Sequence, residues 1–216
     1  MTQNGSRGGQ TRRRVLLGIG AGAVAALAGC SSGVEGGADN VPWRGNADAD
    51  VVLEVYEDLG CPACRQYVQN GLPDIQAQYL DDGLIRYEHR DLITTDIGNN
   101  AASAAREVLD RHGNDAFWNF HAAMYDNQNR LRNEGAALFG EVAGELGLDA
   151  EAIQQAGVDR THQDAVDADI DRGRSLGVDS TPSFVLNEER IDATGATINQ
   201  RVATVAQEIN QALSGE

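Results

Sequence analysis

Cys61-Pro62-Ala63-Cys64 follows an apolar run at residues 51–56 and precedes a segment with helical periodicity. Two cysteines at this spacing form a disulfide only where the backbone turns tightly, and the first turn of a helix provides that turn. We therefore expect Cys61 at the N-cap and Pro62 at the first helical position, where proline needs no N–H and its fixed φ suits the helix. The helix dipole and the free N–H groups then favour the Cys61 thiolate, which predicts a lowered pKa.

A dithiol of this kind is typical of thiol-disulfide exchange, with Cys61 as the attacking and leaving sulfur and Cys64 as the resolving sulfur. Two other interpretations stay open. A zinc half-site needs a second pair of ligands at similar spacing, whereas the histidines are scattered, at positions His89, His112, His121 and His162. A purely structural disulfide would close so short a loop that it stabilises little. No metal site is predicted, and His121 is interpreted as a packing residue on an apolar helix face.

The N-terminal 29 residues have the features of an export signal. They contain four arginines, no acidic residue and an apolar run at residues 15–28. That run is shorter than the roughly 20 residues that a spanning helix needs, so it predicts a signal peptide. Residues 11–17 resemble a twin-arginine signal, and residues 27–30 resemble a lipobox that ends at Cys30. We expect lipidation of Cys30 and anchoring on the extracytoplasmic face of the cell membrane, where disulfides persist.

Composition separates a tether from a folded domain. Residues 30–47 are rich in Gly, Ser and acidic residues and are predicted to form a flexible tether, with the folded domain at residues 48–216. The chain has no lysine, and after loss of the signal its 13 arginines against 33 acidic residues leave a net charge of −20. This balance argues against nucleic acid as a partner and favours a halophilic surface over an ordinary acidic one.

The periodicity along the domain predicts an α/β order. Strands are expected at residues 51–56 and 84–92, parallel through a right-handed crossover, with a helix between them that Gly71 and Pro73 kink. A long helical stretch follows. Its predicted bounds are residues 99–177, with breaks at 112–114, 128–133 and 144–149. Further strands at 183–187 and 190–193 and a helix at 199–213 complete the pattern.

Three segments in this order resemble the DsbA-like thiol:disulfide oxidoreductases. They are Cys61 to Arg65, residues 115–121 with Asn127-Gln128 behind them, and residues 177–184, which include Thr181-Pro182. The resemblance covers roughly residues 50–213. It implies a thioredoxin fold with an inserted helical domain at about residues 97–176.

The resemblance also implies site roles. Cys61 becomes the nucleophile and Cys64 the resolving cysteine, while Pro182 is expected in the cis form beside the disulfide. Thr181 would then present its backbone to an extended substrate chain, and Pro62 and Ala63 would contact the same substrate. No cofactor is implied besides the Cys61-Cys64 disulfide.

One position departs from the family pattern. Relatives often carry a buried Glu six residues before the first cysteine, where this chain has Val55, and Glu54 lies on the opposite strand face. A buried acid that exchanges a proton with Cys64 is therefore not expected, unless a bulge at residues 57–60 realigns Glu54. The Pro62-Ala63 dipeptide also lacks the histidine of some strongly oxidising relatives.

Together these features predict an exported, membrane-anchored thiol-disulfide oxidoreductase. It would donate its disulfide to exported cysteine-containing proteins and be reoxidised by a membrane redox partner. Two alternatives stay open. The same fold could act as a disulfide reductase or isomerase, or a redox-inert lipoprotein could hold extended peptides in the Thr181-Pro182 groove.

Overall fold

The computed structural model of the chain describes residues 40–195 and 197–215. Within this part, five strands form one mixed sheet in the order β1-β3-β2-β4-β5. β2 is parallel to β3 and antiparallel to β4, and β1 pairs antiparallel with β3. The strands are β1 (Trp43–Gly45), β2 (Val52–Glu57), β3 (Arg86–Asp91), β4 (Ser183–Leu186) and β5 (Glu189–Arg190).

Helices surround this sheet in the order that the periodicity predicts. The first connection has α1 (Pro62–Asn70), α2 (Leu72–Ile75) and a π-helical turn (Gln76–Leu80). Six helices lie between β3 and β4, over the stretch where the insertion is predicted, and one helix ends the fold. They are α3 (Gly98–His112), α4 (Asn114–Asp126), α5 (Gln128–Glu134), α6 (Ala136–Glu145), α7 (Ala150–Asp159), α8 (Gln163–Ser175) and α9 (Ile198–Ser214).

The central strand β2 separates two different environments. Its odd-numbered side chains, such as Leu53 and Val55, join the large apolar core beneath α1, α4 and α9. Its even-numbered side chains face α8, where Tyr56 lies in a small second core with Leu92, Val178 and Val185. Side chains alternate between the faces of a strand, so one hexapeptide supplies both cores.

On the α8 face, a network of ion pairs accompanies the second core. Arg172 of α8 binds Glu54 of β2 through two contacts of 2.6 and 2.7 Å. Arg90 of β3 reaches Glu54 at 3.2 Å and Asp169 of α8 at 3.0 Å. Because Glu54 is only 2% exposed, its charge depends on these two guanidinium groups for compensation.

Two predictions of secondary structure are wrong. Residues 128–133, expected as a break, form α5, because Leu131 and Gln128 are buried and dock the segment despite its polar composition. The C-terminal boundary of the tether predicted at residues 30–47 is wrong, because residues 43–45 form β1, which pairs with β3. Val41 is also buried. In addition, α7 and α8 are separate helices, since Arg160 adopts a left-handed conformation (φ 54°) at the end of α7.

Several other predictions are confirmed. Chain breaks occur at Gly71, residues 112–114 and residues 144–149, and β2 and β3 are parallel. The strand predicted at residues 190–193 is reduced to the two residues of β5. The predicted signal peptide, the lipidation site Cys30 and residues 30–39 of the tether lie outside the described residues. Among the described helices, none combines the length and apolar character that crossing a membrane requires.

The close approach of α8 to the sheet generates a testable prediction. A Cβ atom at Gly173 would lie 2.7 Å from Cε1 of the buried Tyr56 ring, so Gly173→Ala forces α8 away from β2. We expect a loss of about 1–3 kcal/mol in the free energy of unfolding, measured from urea denaturation midpoints.

Gly144→Ala is the matched control, because Gly144 is an exposed helical glycine whose new Cβ meets only Ala150 at an ordinary 3.7 Å. This variant should be neutral or gain up to about 1 kcal/mol from helix propensity. Equal stability of the two variants would contradict the tight α8 contact.

Candidate active site

The Cys61-Cys64 pair lies at the start of α1, directly after β2. Cys61 is the N-cap residue and Pro62 the first helical residue, which confirms the predicted arrangement. The Cys61 N–H donates to the Asp58 carbonyl at 2.9 Å, and the Cys61 carbonyl accepts from the Arg65 N–H at 3.2 Å. Both cysteines are free thiols in this structure, with Cys61 8% exposed and Cys64 fully buried.

This placement makes the two thiols unequal acids. The pKa of Cys61 falls from an ordinary 9.0 to about 6, chiefly because the Cys64 thiol donates a hydrogen bond to it. A hydrogen bond from the Thr181 side chain and the backbone N–H groups of Cys64 and Ala63 add to the effect, against the opposing cost of burial. The pKa of Cys64 is raised, first by burial and then by its hydrogen bond to Cys61. Above pH 6 the pair therefore holds one thiolate, on Cys61.

The Thr181-Pro182 segment, 120 positions after Cys61, also lies at this site. The Thr181-Pro182 peptide bond is cis, as the family resemblance implies, and the Cys61 sulfur lies 3.7 Å from the Thr181 carbonyl oxygen. Pro62 is exposed, Ala63 and Thr181 are half-buried, and Pro182 is buried. The substrate-contacting role of these four residues stays a prediction.

Asp58 connects the loops around the site, and the sequence analysis missed it. Its carboxylate accepts hydrogen bonds from the backbone N–H of Gly60 (2.8 Å), Thr94 (2.7 Å) and Thr95 (2.8 Å) and from both threonine hydroxyls. The Thr94 hydroxyl in turn lies 3.2 Å from the Thr181 hydroxyl. Asp58 thereby fixes the loop before α1 to the loop after β3. An acidic residue three positions before the first cysteine of the motif is the sequence signal that could have indicated it.

Gln128 fixes the helical insertion to the same motif. Its side-chain amide donates to the carbonyl oxygens of Leu59 (2.8 Å) and Cys61 (2.9 Å) and is 9% exposed. The sequence analysis placed this residue in a break, although it quoted Asn127-Gln128 for the family resemblance. The backbone beside Cys61 therefore has partners from outside its own helix.

The structure also settles where Glu54 points. β2 pairs continuously with β3 over residues 52–57, so no bulge turns Glu54 toward Cys64. Val55 occupies the expected acid position and is fully buried. Two residues further, Glu57 lies on the same face as Val55, is fully buried, and its charge contributes to raising the pKa of Cys64. The sequence analysis ended the strand at Tyr56 and so missed Glu57.

Glu57 brings two of the scattered histidines together. Its Oε2 lies 3.1 Å from His89 Nδ1 and 3.1 Å from His121 Nε2. The prediction of no metal site was based on sequence spacing and stays a prediction. In the fold, β3 and α4 bring two histidines, 32 and 64 positions away in the sequence, to Glu57. His121 is a core residue as predicted, and it also takes part in this polar cluster.

The three groups differ in protonation. Burial opposes a charge on His89, but hydrogen bonds to Asp91 and Glu57 raise its pKa to about 9. The pKa of His121 is lowered, because burial outweighs its hydrogen bond to Glu57. The pKa of Glu57 is lowered by the two histidines despite its burial. The cluster thus holds a carboxylate, a cationic His89 and a neutral His121 at pH 7.

Comparison with known proteins agrees with this architecture. Residues 38–203 match the thioredoxin family. Disulfide bond formation protein D of Bacillus subtilis (strain 168) is 24% identical over 153 residues, which cover 69% of this chain and 69% of that protein. The crystal structure of oxidised BdbD from B. subtilis matches with a TM-score of 0.72 at 22% identity, covering 82% of this chain and 95% of BdbD.

A second solved structure, alpha-DsbA1 of Wolbachia pipientis, matches with a TM-score of 0.66 at 20% identity, covering 82% of this chain and 92% of that one. At these identities the two structures establish the fold, a thioredoxin fold that carries a helical insertion. The chain belongs to the thioredoxin family and has the DsbA-like form of its fold.

Proposed function

We propose that this chain, a thiol-disulfide oxidoreductase, donates its Cys61-Cys64 disulfide to exported cysteine-containing proteins. The observation that carries the proposal is the inequality of the two thiols. Cys61, at the surface edge of the site, has a pKa of about 6, while the fully buried Cys64 has a raised pKa. A stabilised Cys61 thiolate makes the reduced enzyme the favoured product, which is the property of a disulfide donor.

The reaction consists of two exchanges. A substrate thiolate attacks the Cys61 sulfur, the Cys61–Cys64 bond breaks, and Cys64 leaves and takes up a proton, consistent with its raised pKa. A second substrate thiolate then attacks the substrate sulfur of the mixed disulfide and releases the Cys61 thiolate. Two electrons pass from the substrate dithiol to the enzyme, and no further cofactor takes part.

An extended substrate segment would lie against Thr181. The Thr181 carbonyl faces Cys61, and the Thr181 hydroxyl contacts the Thr94 hydroxyl. Pro62, Ala63 and Pro182 complete the predicted contact surface around the sulfur. Backbone contacts of this kind accept many sequences, which suits an enzyme with diverse exported substrates.

The proposed location follows from the N-terminal sequence. The signal-like residues 1–29 and the lipobox before Cys30 support export and lipid anchoring on the extracytoplasmic face of the membrane. A membrane redox partner would there reoxidise the dithiol after each cycle. The acidic, lysine-free composition supports work in concentrated salt, where charge repulsion is screened.

The lowered Cys61 pKa generates a prediction about pH. Alkylation of reduced Cys61 by iodoacetamide should be half-maximal near pH 6, because the thiolate is the reactive form. The stabilisation of reduced protein by this thiolate is fully present above the ordinary pKa of 9.0 and is lost as the pH falls through about 6.

Mass spectrometry of the modified peptides assigns the alkylation to Cys61. In the Cys61→Ser variant, buried Cys64 should stay unmodified under the same conditions. A Cys61 profile with its midpoint near pH 9 would contradict the proposed activation.

The reduction potential of the Cys61-Cys64 pair tests the direction of the reaction. Equilibration of the chain with a glutathione series at high salt should give a value closer to about −120 mV than to the −270 mV or so of thioredoxin. A value near thioredoxin's would instead make the protein a reductase or isomerase that needs an electron supply.

Substitution of each cysteine tests the assignment of roles. Cys61→Ser should abolish disulfide exchange. Cys64→Ser, mixed with a substrate that carries a disulfide, should accumulate mixed disulfides formed by attack of the Cys61 thiolate on that disulfide, detected on non-reducing gels. Retained exchange in Cys61→Ser would contradict the redox assignment. Unchanged cellular function of the double variant would support a redox-inert peptide-binding protein.

A further inference from the structure

We propose that Glu57, His89 and His121 form a binding site for one transition-metal ion, with Zn²⁺ as the best match. The site goes beyond the redox reaction and does not depend on it. Among the described residues, these three offer ligand atoms that all lie within 4.8 Å of one another, and all three are buried. They come from three separate elements, β2, β3 and α4.

The sheet register places two of the ligands side by side. Val55 pairs with His89 and Glu57 pairs with Asp91 across the parallel β2–β3 ladder, so Glu57 and His89 project to the same face. α4 covers that face and supplies His121. The Glu57 Oε2 atom is 3.1 Å from a nitrogen of each histidine. Ligand atoms around a tetrahedral Zn²⁺ lie about 3.3 Å apart when each bond is about 2.0–2.1 Å, so small movements, together with release of the proton that His89 Nδ1 carries toward Glu57, would admit the ion.

The second oxygen of Glu57 points independently to a ligand. Oε1 is buried and has no hydrogen-bond partner within the described part of the chain, while Oε2 has two. An unsatisfied buried carboxylate oxygen is costly. A bidentate Glu57 would use both oxygens and, with the two histidine nitrogens, would supply four donor atoms in a distorted tetrahedral arrangement, because the two carboxylate oxygens lie closer together than regular tetrahedral ligands.

Groups behind the ligands have the arrangement of an outer coordination shell. His89 Nε2 lies 3.2 Å from Asp91 Oδ1, and Arg106 Nε holds Asp91 Oδ2 at 2.9 Å. A carboxylate on the far nitrogen of a metal-binding histidine orients the ring and selects its tautomer. The His121 ring is oriented by a stacked Phe117 at 5.8 Å and an edge-on Tyr125 at 4.8 Å between centroids.

The donor set identifies the class of ion. Two imidazole nitrogens and one carboxylate suit Zn²⁺ and related first-row ions, whereas Ca²⁺ and Mg²⁺ prefer oxygen ligands only. A bound ion would connect the helical insertion to the two central strands of the sheet. Its expected effect is therefore on the stability of this connection.

The test uses the full chain with the Cys61-Cys64 disulfide formed, so that these two thiols cannot bind metal. Zn²⁺ is titrated in competition with a chromophoric chelator, and thermal melting is followed with and without Zn²⁺. We expect one equivalent bound and a raised melting temperature, because an ion that binds only the folded state stabilises it. His121→Gln and Glu57→Gln should bind at least tenfold more weakly.

His112→Gln is the matched control, because His112 is exposed and lies outside the cluster, where it accepts a hydrogen bond from the Asp149 N–H. It should bind like the parent, and any binding by Cys30 is common to all variants. Absence of binding to the parent, or equal binding to His121→Gln, would overturn the proposal and leave Glu57, His89 and His121 as a hydrogen-bonded core cluster.

A second measurement, made on the parent protein, tests the site even if the variants fail to fold. Co²⁺ bound to the oxidised parent should give the visible absorption of a tetrahedral site without a thiolate charge-transfer band. A Co²⁺ spectrum without tetrahedral bands would overturn the site even if no variant could be purified.

Discussion

The contact between the Cys61 sulfur and the Thr181 carbonyl is the constraint on which the arrangement of the site depends. The start of α1 and the start of β4 meet there, although 120 residues separate them. The sheet makes the meeting possible, because β2 ends just before Cys61 and β4, which pairs antiparallel with β2, begins just after Thr181 and Pro182. The reactive sulfur thus takes its partners from its own helix and from the opposite loop.

Hydrogen bonds from buried side chains hold the surrounding loops in this geometry. Asp58 accepts from the loop after β3, and Gln128 donates to the backbone on either side of the motif. Both bind backbone groups of the loops next to the motif, and the Cys61 carbonyl accepts from Gln128 in addition to the Arg65 N–H of its own helix. The helical insertion therefore contributes directly to the conformation of the motif.

The sequence was sufficient where the signals are local. The β2 pattern and the Cys61 N-cap with Pro62 behind it could be predicted from neighbouring residues, whereas the cis Thr181-Pro182 bond was expected only from the family resemblance. β1 could not, because three residues become a strand only by pairing with β3 more than 40 residues later. The burial of Gln128 likewise depends on distant carbonyl groups.

The polar cluster shows how a small error in strand length affects a site prediction. Because the predicted strand ended at Tyr56 instead of Glu57, the buried Glu57 side chain was assigned to a loop. The carboxylate that both histidines contact was therefore not recognised. Their convergence depends on the β2–β3 register and on the docking of α4, which composition and spacing do not determine. Long-range packing decides such sites.

The alternation along β2 has a consequence for how this domain can change in evolution. Glu54 pairs with Arg90 and Arg172 on the α8 face of the sheet. Glu57 contacts His89 and His121 on the face that α4 covers. Insertion or deletion of one residue within the strand would exchange the two faces, placing a carboxylate among apolar rings and removing the Glu54 carboxylate from Arg90 and Arg172. The strand can therefore accept changes of side-chain volume more readily than changes of length.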